Sequence, residues 1–292
     1  MTKTLYVFTR SVWASVAELA VAELGYKEGE VTFKSINLVE SENLAPSFLK
    51  INPNGTLPTL ESDGQVYKST AEVTAALVKD APIKVKPGSE IIETIHDAKY
   101  DPNFALFLAR NDTELAFKRN ANGGFFEVYV NKRKAVLDRL SADPEAEALK
   151  AFYEPKKTEN DGLLALFTGK ASEEHKAGFF ASSQAHFDRV KGAVFEVLPG
   201  FLPDSGFIDG EAPGDDDFHV VGWLTRIAAS TGATSADDGL ATMEAAYGAP
   251  VPAKVATYWG RMDRRTAQLE EPMDFTSGVT HTCVTKKIDN FS

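Results

Sequence analysis

Cysteine is nearly absent: Cys283 is the one thiol among 292 residues. A single thiol excludes an internal disulfide, a cysteine-built zinc site and Cys-x-x-Cys redox chemistry. It also favours a reducing compartment. Nor does the chain contain an apolar run long enough for a signal peptide or a membrane span. These absences predict a cytoplasmic protein that does not engage a membrane.

Positive charge is also scarce, with 31 basic residues against 42 acidic residues and a formal net charge of -11. Because nucleic acids bind basic surfaces, this balance predicts no nucleic-acid partner. The five histidines show no metal-ligand spacing, and we expect no metal cofactor. They are His96, His175, His186, His219 and His281. The length suits one large domain or two ordinary ones.

The first eighty residues alternate strand and helix patterns. An apolar β-prone run at 5–8 precedes a helical period that ends at Gly25, and a second strand follows at 31–38. A short helical piece then leads to two strand candidates, TLPTLE and QVYK, joined by the turn SDG. Ser69 and Glu72 form a capping box that opens the next helix. The order β-α-β-α-β-β-α predicts an α/β domain at 1–80 with a mixed four-stranded sheet.

A proline-containing linker at 81–88 ends this pattern, and helical periods follow. We predict an all-α domain at 89–268 and a C-terminal tail at 269–292. The predicted helices cover 91–111, 123–141, 146–153, 173–198, 215–230 and 252–268. Within the last-but-one of them, Asp217 is predicted to lock the helix start and His219 to be packed, whereas Asp215 and Asp216 are predicted to be solvated.

The stretch NPNGTLPTL (52–60) places Pro58 among strand-prone residues, although proline cannot donate to a sheet ladder. With its continuation ESDGQVYKS, it resembles the Asn-Pro-x-Gly-x-Val-Pro-x-Leu run of the glutathione transferase superfamily. A second motif, FIDGEAPGDDDFHVVGWL (207–224), resembles that superfamily's segment around a buried Asp, through Asp217 and Trp223. The resemblance implies a thioredoxin-like N-terminal domain, a helical C-terminal domain, glutathione as co-substrate and a homodimer.

The same resemblance implies a glutathione site. Pro58 is cis in the family, and the backbone of Leu57 pairs with the cysteinyl part of glutathione like an added strand. Ser69, at a helix N-terminus, holds the γ-glutamyl carboxylate. Lys68 stands where the family has an acidic residue, and Thr56 where a lysine is common.

A transferase must ionise the glutathione thiol, and one hydroxyl near a helix N-terminus is sufficient for this. Ser11 occupies the position of the catalytic residue in serine- and cysteine-type transferases and is also a candidate N-cap. Simple capping is the alternative role of Ser11, and Tyr6, Thr9 and Ser15 are competing hydroxyls. Tyr6 lies out of register for a tyrosine-type enzyme.

A serine does not form a mixed disulfide, so Ser11 favours conjugation or peroxide reduction over thiol exchange. The expected substrates are small hydrophobic electrophiles, and the expected role is detoxification. The resemblance implies an acceptor site against the first helix of the second domain. Tyr100, Phe104 and Phe107 recur there at helical spacing; Tyr100, Phe104 and Trp13 are the candidates for the site. Two alternatives remain: a non-catalytic, ligandin-like protein that binds apolar small molecules, and a scaffolding copy of the fold.

Overall fold

The computed structural model describes residues 3–8, 11–103, 107–120 and 125–268. Thr9, Phe104 and the predicted tail at 269–292 lie outside these ranges. Within them, no helix has the length and apolar character needed to cross a membrane.

The N-terminal elements follow the predicted order. They are β1 (Lys3–Val7), α1 (Val12–Glu23), β2 (Val31–Ser35), α2 (Pro46–Leu49), β3 (Thr59–Ser62), β4 (Gln65–Tyr67) and α3 (Thr70–Asp80). The sheet order is β2-β1-β3-β4, with β1 parallel to β2 and antiparallel to β3, and β3 antiparallel to β4. The predicted mixed four-stranded, thioredoxin-like sheet is therefore confirmed.

Two local signals fix the ends of these elements. Gly25 has φ +77°, a left-handed conformation that ends α1, and an added Cβ would lie 2.9 Å from Ile83. Asp63 and Gly64 both have positive φ in the predicted hairpin turn between β3 and β4. Both turns depend on residue types that tolerate positive φ.

The remainder is helical, as predicted. The helices are α4 (Glu90–His96), α5 (Asp112–Asn120), α6 (Phe125–Ala142), α7 (Lys150–Phe167), α8 (Glu173–Gly192), α9 (Leu198–Phe201), α10 (Asp215–Ser230), α11 (Ala236–Tyr247) and α12 (Ala253–Gln268). Short 3-10 turns cover Glu42–Leu44, Ala98–Tyr100 and Pro144–Leu149, and a π-helical turn covers Ala193–Val197.

The single helix predicted at 91–111 is wrong. The α4 helix ends at His96, and Asp97 starts a separate 3-10 turn by accepting a hydrogen bond from the Lys99 N–H at 3.0 Å. Asp101 is then extended because Pro102 disfavours a helical residue before it. Tyr100 therefore lies on a 3-10 turn and not on a helix continuous with α4.

Helices α5, α7 and α11 also differ from the prediction. No helix was predicted at Asp112–Asn120, where α5 forms. Helix α7 passes through Pro155 and continues to Phe167, beyond the predicted end at 153. Helix α11 was not predicted, although the sequence holds its signals. Ser235 and Asp238 form a capping-box pair, and Gly248 ends the helix with φ +67°.

The chain clusters into two compact units. The sheet unit comprises Met1–Ser35, Thr56–Leu106 and Asp188–Ser292, and the helical unit comprises Ile36–Gly55 and Phe107–Phe187. In the sheet unit, α1 packs against α3 and α10, with Val16 and Trp223 fully buried. The domain bounds expected from the sequence, at 1–80 and 89–268, stay a prediction.

The helical unit has its own core. It contains Leu44, Leu49, Leu137, Leu140, Ala146 and Tyr153. The Tyr153 hydroxyl donates to the Leu44 carbonyl at 2.9 Å, and the Asn43 amide donates to the Gly55 carbonyl at 2.7 Å. The segment between β2 and β3 is thus held by helices α6 and α7, which come much later in the chain.

Candidate active site

The sheet register brings three loop segments to one end of the sheet. Tyr6 pairs with Thr59, and Leu60 pairs with Tyr67. Because β3 is antiparallel to both of its neighbours, the start of β3 lies beside the ends of β1 and β4. The residues that follow β1, precede β3 and follow β4 therefore meet there. Ser11, Leu57 and Ser69 belong to these three segments.

The segment before β3 contains the predicted cis bond, between Leu57 and Pro58. None of the turn and loop hydrogen bonds between described backbone groups involves Leu57. The Thr56 hydroxyl donates to the Lys68 carbonyl at 3.3 Å, so this segment is tied to the residue before Ser69. That the Leu57 backbone pairs with a bound peptide stays a prediction.

Ser11 is the N-cap of α1, as predicted. Its Oγ accepts a hydrogen bond from the Ala14 N–H at 3.3 Å, and its backbone is extended. A hydroxyl can donate while it accepts, so this cap uses only a lone pair of Oγ. The first turn of α1 contains no acidic residue, which leaves the positive end of the helix dipole uncompensated.

Two of the three competing hydroxyls, those of Tyr6 and Ser15, form hydrogen bonds within the protein. The Tyr6 hydroxyl donates to Glu61 Oε2 at 2.6 Å. Burial, followed by this bond and the Glu61 charge, raises the pKa of Tyr6 to about 12. Ser15 is buried and donates to the Val12 carbonyl at 2.7 Å. Of these candidates with described surroundings, Ser11 is the one at a helix N-cap, and its role toward a thiolate stays a prediction.

Ser69 caps α3 through the predicted capping box. Its Oγ accepts from the Glu72 N–H at 3.2 Å. The Glu72 carboxylate in turn accepts from the Lys68 N–H at 2.8 Å and the Ser69 N–H at 3.1 Å. An internal carboxylate therefore already uses two N–H groups at this helix start, and a second carboxylate there would face it.

The predicted acceptor residues are only partly described. Trp13, in the first turn of α1, stacks on His96 with the ring centroids 3.9 Å apart. Tyr100 lies on the 3-10 turn after α4, and its carbonyl accepts from the Trp223 indole at 2.9 Å. The side chains of Trp13 and Tyr100 are partly exposed. That Tyr100 and Phe104 line an acceptor site stays a prediction.

An imidazole pair next to Trp13, with His96 partly exposed and His219 buried, was missed from the sequence. His96 Nε2 lies 2.7 Å from His219 Nδ1, and His219 Nε2 lies 2.8 Å from the Thr74 hydroxyl. His219 is fully buried, as predicted for a packed residue. The two histidines are 123 residues apart, and no local signal in the sequence reveals that α4 and α10 bring them together.

The start of α10 is held by three acids. Asp217 accepts hydrogen bonds from the N–H groups of Ile208, Asp209 and Gly214 and from the Tyr258 hydroxyl, at 2.9–3.2 Å. This network gives Asp217 the predicted structural role.

The prediction that Asp215 and Asp216 are solvated is wrong, since both are buried. Their carboxylates accept from the N–H groups of Gly88 at 3.2 Å and Ser89 at 2.7 Å, which anchors the linker before α4. Burial also raises the pKa of Asp215 to about 6.

The element order and sheet define a thioredoxin-like domain followed by helices. Residues 5–84 match the family model described as "Glutathione S-transferase, N-terminal domain". This part of the chain is therefore similar to the N-terminal domain of glutathione S-transferases. No curated protein matches the chain.

Solved glutathione transferases are similar over most of the chain. A homologue from Drosophila mojavensis, with bound glutathione, is 16% identical, with 95% of this chain and 96% of that chain covered and a TM-score of 0.46. The enzyme from Pseudomonas fluorescens is 15% identical, with coverage of 90% and 94% and a TM-score of 0.45. A mutant of poplar glutathione transferase F1 is 13% identical, with coverage of 92% and 96% and a TM-score of 0.48.

Proposed function

We propose that this protein is a serine-type glutathione transferase, which conjugates glutathione to small hydrophobic electrophiles or uses it to reduce them. The match of residues 5–84 to the glutathione S-transferase N-terminal family model supports a glutathione-binding transferase in general. In this proposal Ser11 stabilises the thiolate, the Leu57 backbone pairs with the peptide next to Pro58, and Ser69 holds the γ-glutamyl carboxylate. Thr56 and Lys68 flank the bound peptide.

The Ser11 hydroxyl carries the catalytic part of the proposal. Its lone pair caps α1, and its proton can be donated to a thiolate at the positive end of that helix. Such a hydrogen bond to a charged group contributes about 1.5–3 kcal/mol. A thiol has an ordinary pKa of about 8.5, and this energy lowers the pKa to about 6.5–7.5.

The Ser11→Ala variant tests this role. We expect the pKa of bound glutathione, followed by thiolate absorbance, to rise by about 1–2 units, and kcat/KM for chlorodinitrobenzene to fall about 10- to 100-fold. The variant also loses a helix cap, which costs about 1 kcal/mol of stability. Ser235→Ala is the matched control, because Ser235 caps α11. Ser11→Thr keeps the hydroxyl and should retain most of the activity.

The possible outcomes test the role of Ser11 and the transferase activity separately. Full activity in Ser11→Ala, with an unchanged thiol pKa, would remove Ser11 from the mechanism while leaving a transferase. If the wild-type protein binds glutathione but conjugates no electrophile, the catalytic proposal fails.

A ligandin-like function is the second candidate, and the Glu72 carboxylate favours it. This carboxylate uses the Lys68 and Ser69 N–H groups at the helix start where the γ-glutamyl carboxylate would bind. A thermal-shift titration discriminates, because a ligand of the folded state raises the melting temperature. No shift with glutathione at millimolar concentration, together with clear shifts for aromatic compounds, would establish the ligandin.

We also propose a cellular location, an oligomeric state and partners for the enzyme. We expect a cytoplasmic homodimer that acts in detoxification, with glutathione and small hydrophobic molecules as its partners. Sedimentation velocity tests the assembly: a monomer at micromolar concentration would contradict the expected dimer.

A further inference from the structure

The hydrogen-bond chain beyond His96 has a defined direction. It runs from His96 through His219 to Thr74, with consecutive donor–acceptor distances of 2.7 Å and 2.8 Å. The Thr74 hydroxyl has two acceptors for its proton, the Ala71 carbonyl at 3.3 Å, one turn earlier in α3, and the Asp215 carboxylate. The threonine oxygen is then the acceptor for His219, so Nε2 of His219 carries the proton.

Asp215 reinforces this assignment. Its Oδ1 lies 3.6 Å from His219 Nε2, and both side chains are buried. A carboxylate beside Nε2 favours the tautomer with the proton on that nitrogen. His219 Nδ1 is therefore the acceptor, and His96 must donate to it through its own Nε2–H. The proton of His96 is thereby assigned to Nε2, and its Nδ1 keeps a lone pair.

The His96 ring lies beside Trp13, a residue predicted for the acceptor site. The His96 ring stacks on Trp13, two residues after Ser11 in the chain, and both rings are partly exposed. Among the described residues, the ring of His96 forms one hydrogen bond, between its Nε2 and His219. Burial lowers the pKa of His96 to about 4, so the imidazole is neutral near neutral pH. The arrangement presents an apolar indole beside a neutral acceptor nitrogen.

We propose that His96 determines acceptor specificity: its Nδ1 accepts a hydrogen bond from a hydroxyl or N–H group of the electrophile. The inference rests on the proposed function and names the class of electrophile, which is a small apolar molecule that carries a hydrogen-bond donor. His219 and Thr74 are positioning residues, because they fix the tautomer of His96 without touching the substrate. A neutral hydrogen bond of this kind changes affinity about 3- to 10-fold.

Binding of p-cresol and p-xylene to the full chain with glutathione present tests the proposal. The two ligands differ by a hydroxyl in place of a methyl group, and ligand-observed NMR gives both dissociation constants. The wild-type protein should prefer p-cresol about 3- to 10-fold. His96→Phe keeps a ring on Trp13 and should lose the preference. Equal preference in the wild type and His96→Phe overturns the proposal, as does a wild type that binds neither ligand.

Two further variants, His96→Gln and His96→Asn, distinguish the loss of the Nδ1 acceptor from a general loss of structure. His96→Phe leaves His219 without its donor, whereas His96→Gln can still donate to His219 but lacks the Nδ1 acceptor. Both should lose the preference for p-cresol. His96→Asn places a carbonyl oxygen near the former Nδ1 and should retain part of it. Retention of the preference in a folded His96→Gln protein would contradict the role of Nδ1.

Nitrogen NMR of the labelled imidazoles reads the tautomer directly. Between about pH 6 and pH 8, Nδ1 of His96 should be unprotonated and should shift on addition of p-cresol. A protonated Nδ1 overturns the proposal. Chlorodinitrobenzene turnover is measured in parallel: absence of conjugation with an intact p-cresol preference refutes the transferase activity and leaves the binding role of His96 standing.

Discussion

At the scale of single residues, Tyr6 and Ser11 provide opposite tests of the same chemistry. The Tyr6 hydroxyl is committed to Glu61, and its pKa is raised to about 12, chiefly by burial. We therefore expect Tyr6→Phe to leave kcat/KM within about twofold of the wild-type value. Its cost is structural, about 1 kcal/mol in urea denaturation for the lost hydrogen bond. A fall in activity as large as that of Ser11→Ala would make the enzyme a tyrosine type.

The lowered pKa of His96 also predicts how the stability of the folded protein depends on pH. Its pKa is about 4 in the folded protein against 6.5 ordinarily, through burial. A lowered folded-state pKa means that its stabilising contribution is present above pH 6.5 and is lost as the pH falls through about 4. The groups facing the ring are His219, whose pKa burial lowers well below the usual value, and Asp215 behind it.

The stability advantage of the wild type over His96→Gln should accordingly shrink between about pH 6.5 and pH 4, by on the order of 1–3 kcal/mol. Urea denaturation at a series of pH values measures this. His175→Gln is the matched control, because His175 is an exposed imidazole on α8. A difference that stays constant with pH would show that burial does not suppress protonation of His96.

At the scale of elements, local signals predicted most of the fold. Gly25, the Asp63–Gly64 turn and the Ser69 capping box are short-range features, and each ends or starts an element where expected. The errors arose at helix ends, where helix-breaking residues and tertiary packing act in opposite directions. Helix α4 ends early at Asp97, and Pro102 follows the end of the next 3-10 turn, whereas Pro155 does not end α7. A proline alone does not reveal whether packing of the helix will compensate for the lost hydrogen bond.

The crossing of α1 and α10 depends on a glycine. A Cβ added at Gly222 would lie 2.6 Å from Val16 Cγ2, which is too close for undisturbed packing. Gly222→Ala should therefore destabilise the protein by about 1–3 kcal/mol, despite the better helix propensity of alanine. Thermal and urea denaturation give the value.

Two further variants make this prediction specific. Val16→Ala removes the clashing methyl groups, and the double variant with Gly222→Ala should be more stable than the sum of the single changes implies. Gly178→Ala, in α8, adds a Cβ with no atom within 4 Å and should be neutral or stabilising by up to about 1 kcal/mol. Additive effects for Val16 and Gly222 would show that their contact does not limit the packing.

At the scale of the whole molecule, the N-terminal site motif was predictable, but its surroundings were not. Ser11, Leu57 and Ser69 follow from short motifs and strand order, so the sequence places them at one end of the sheet. The His96–His219 pair joins helices 123 residues apart in the chain. No local sequence pattern indicates a contact between residues so far apart in the chain. The same holds for the segment Ile36–Gly55, which clusters with Phe107–Phe187 rather than with the neighbouring strands.

This clustering predicts where the molecule opens first when one core is weakened. Leu137 is fully buried in the core cluster that also contains Leu44 and Leu49. Leu137→Ala should cost about 2–5 kcal/mol and should accelerate hydrogen exchange at the Leu44 and Leu49 amides more than in β1 and β3. Leu77→Ala is the matched control, since Leu77 is equally buried on α3 in the sheet unit. It should have the reverse effect, because its cavity lies beside the sheet. Uniform acceleration in both variants would mean that the two units unfold as one, and a loss of glutathione binding would then accompany either change.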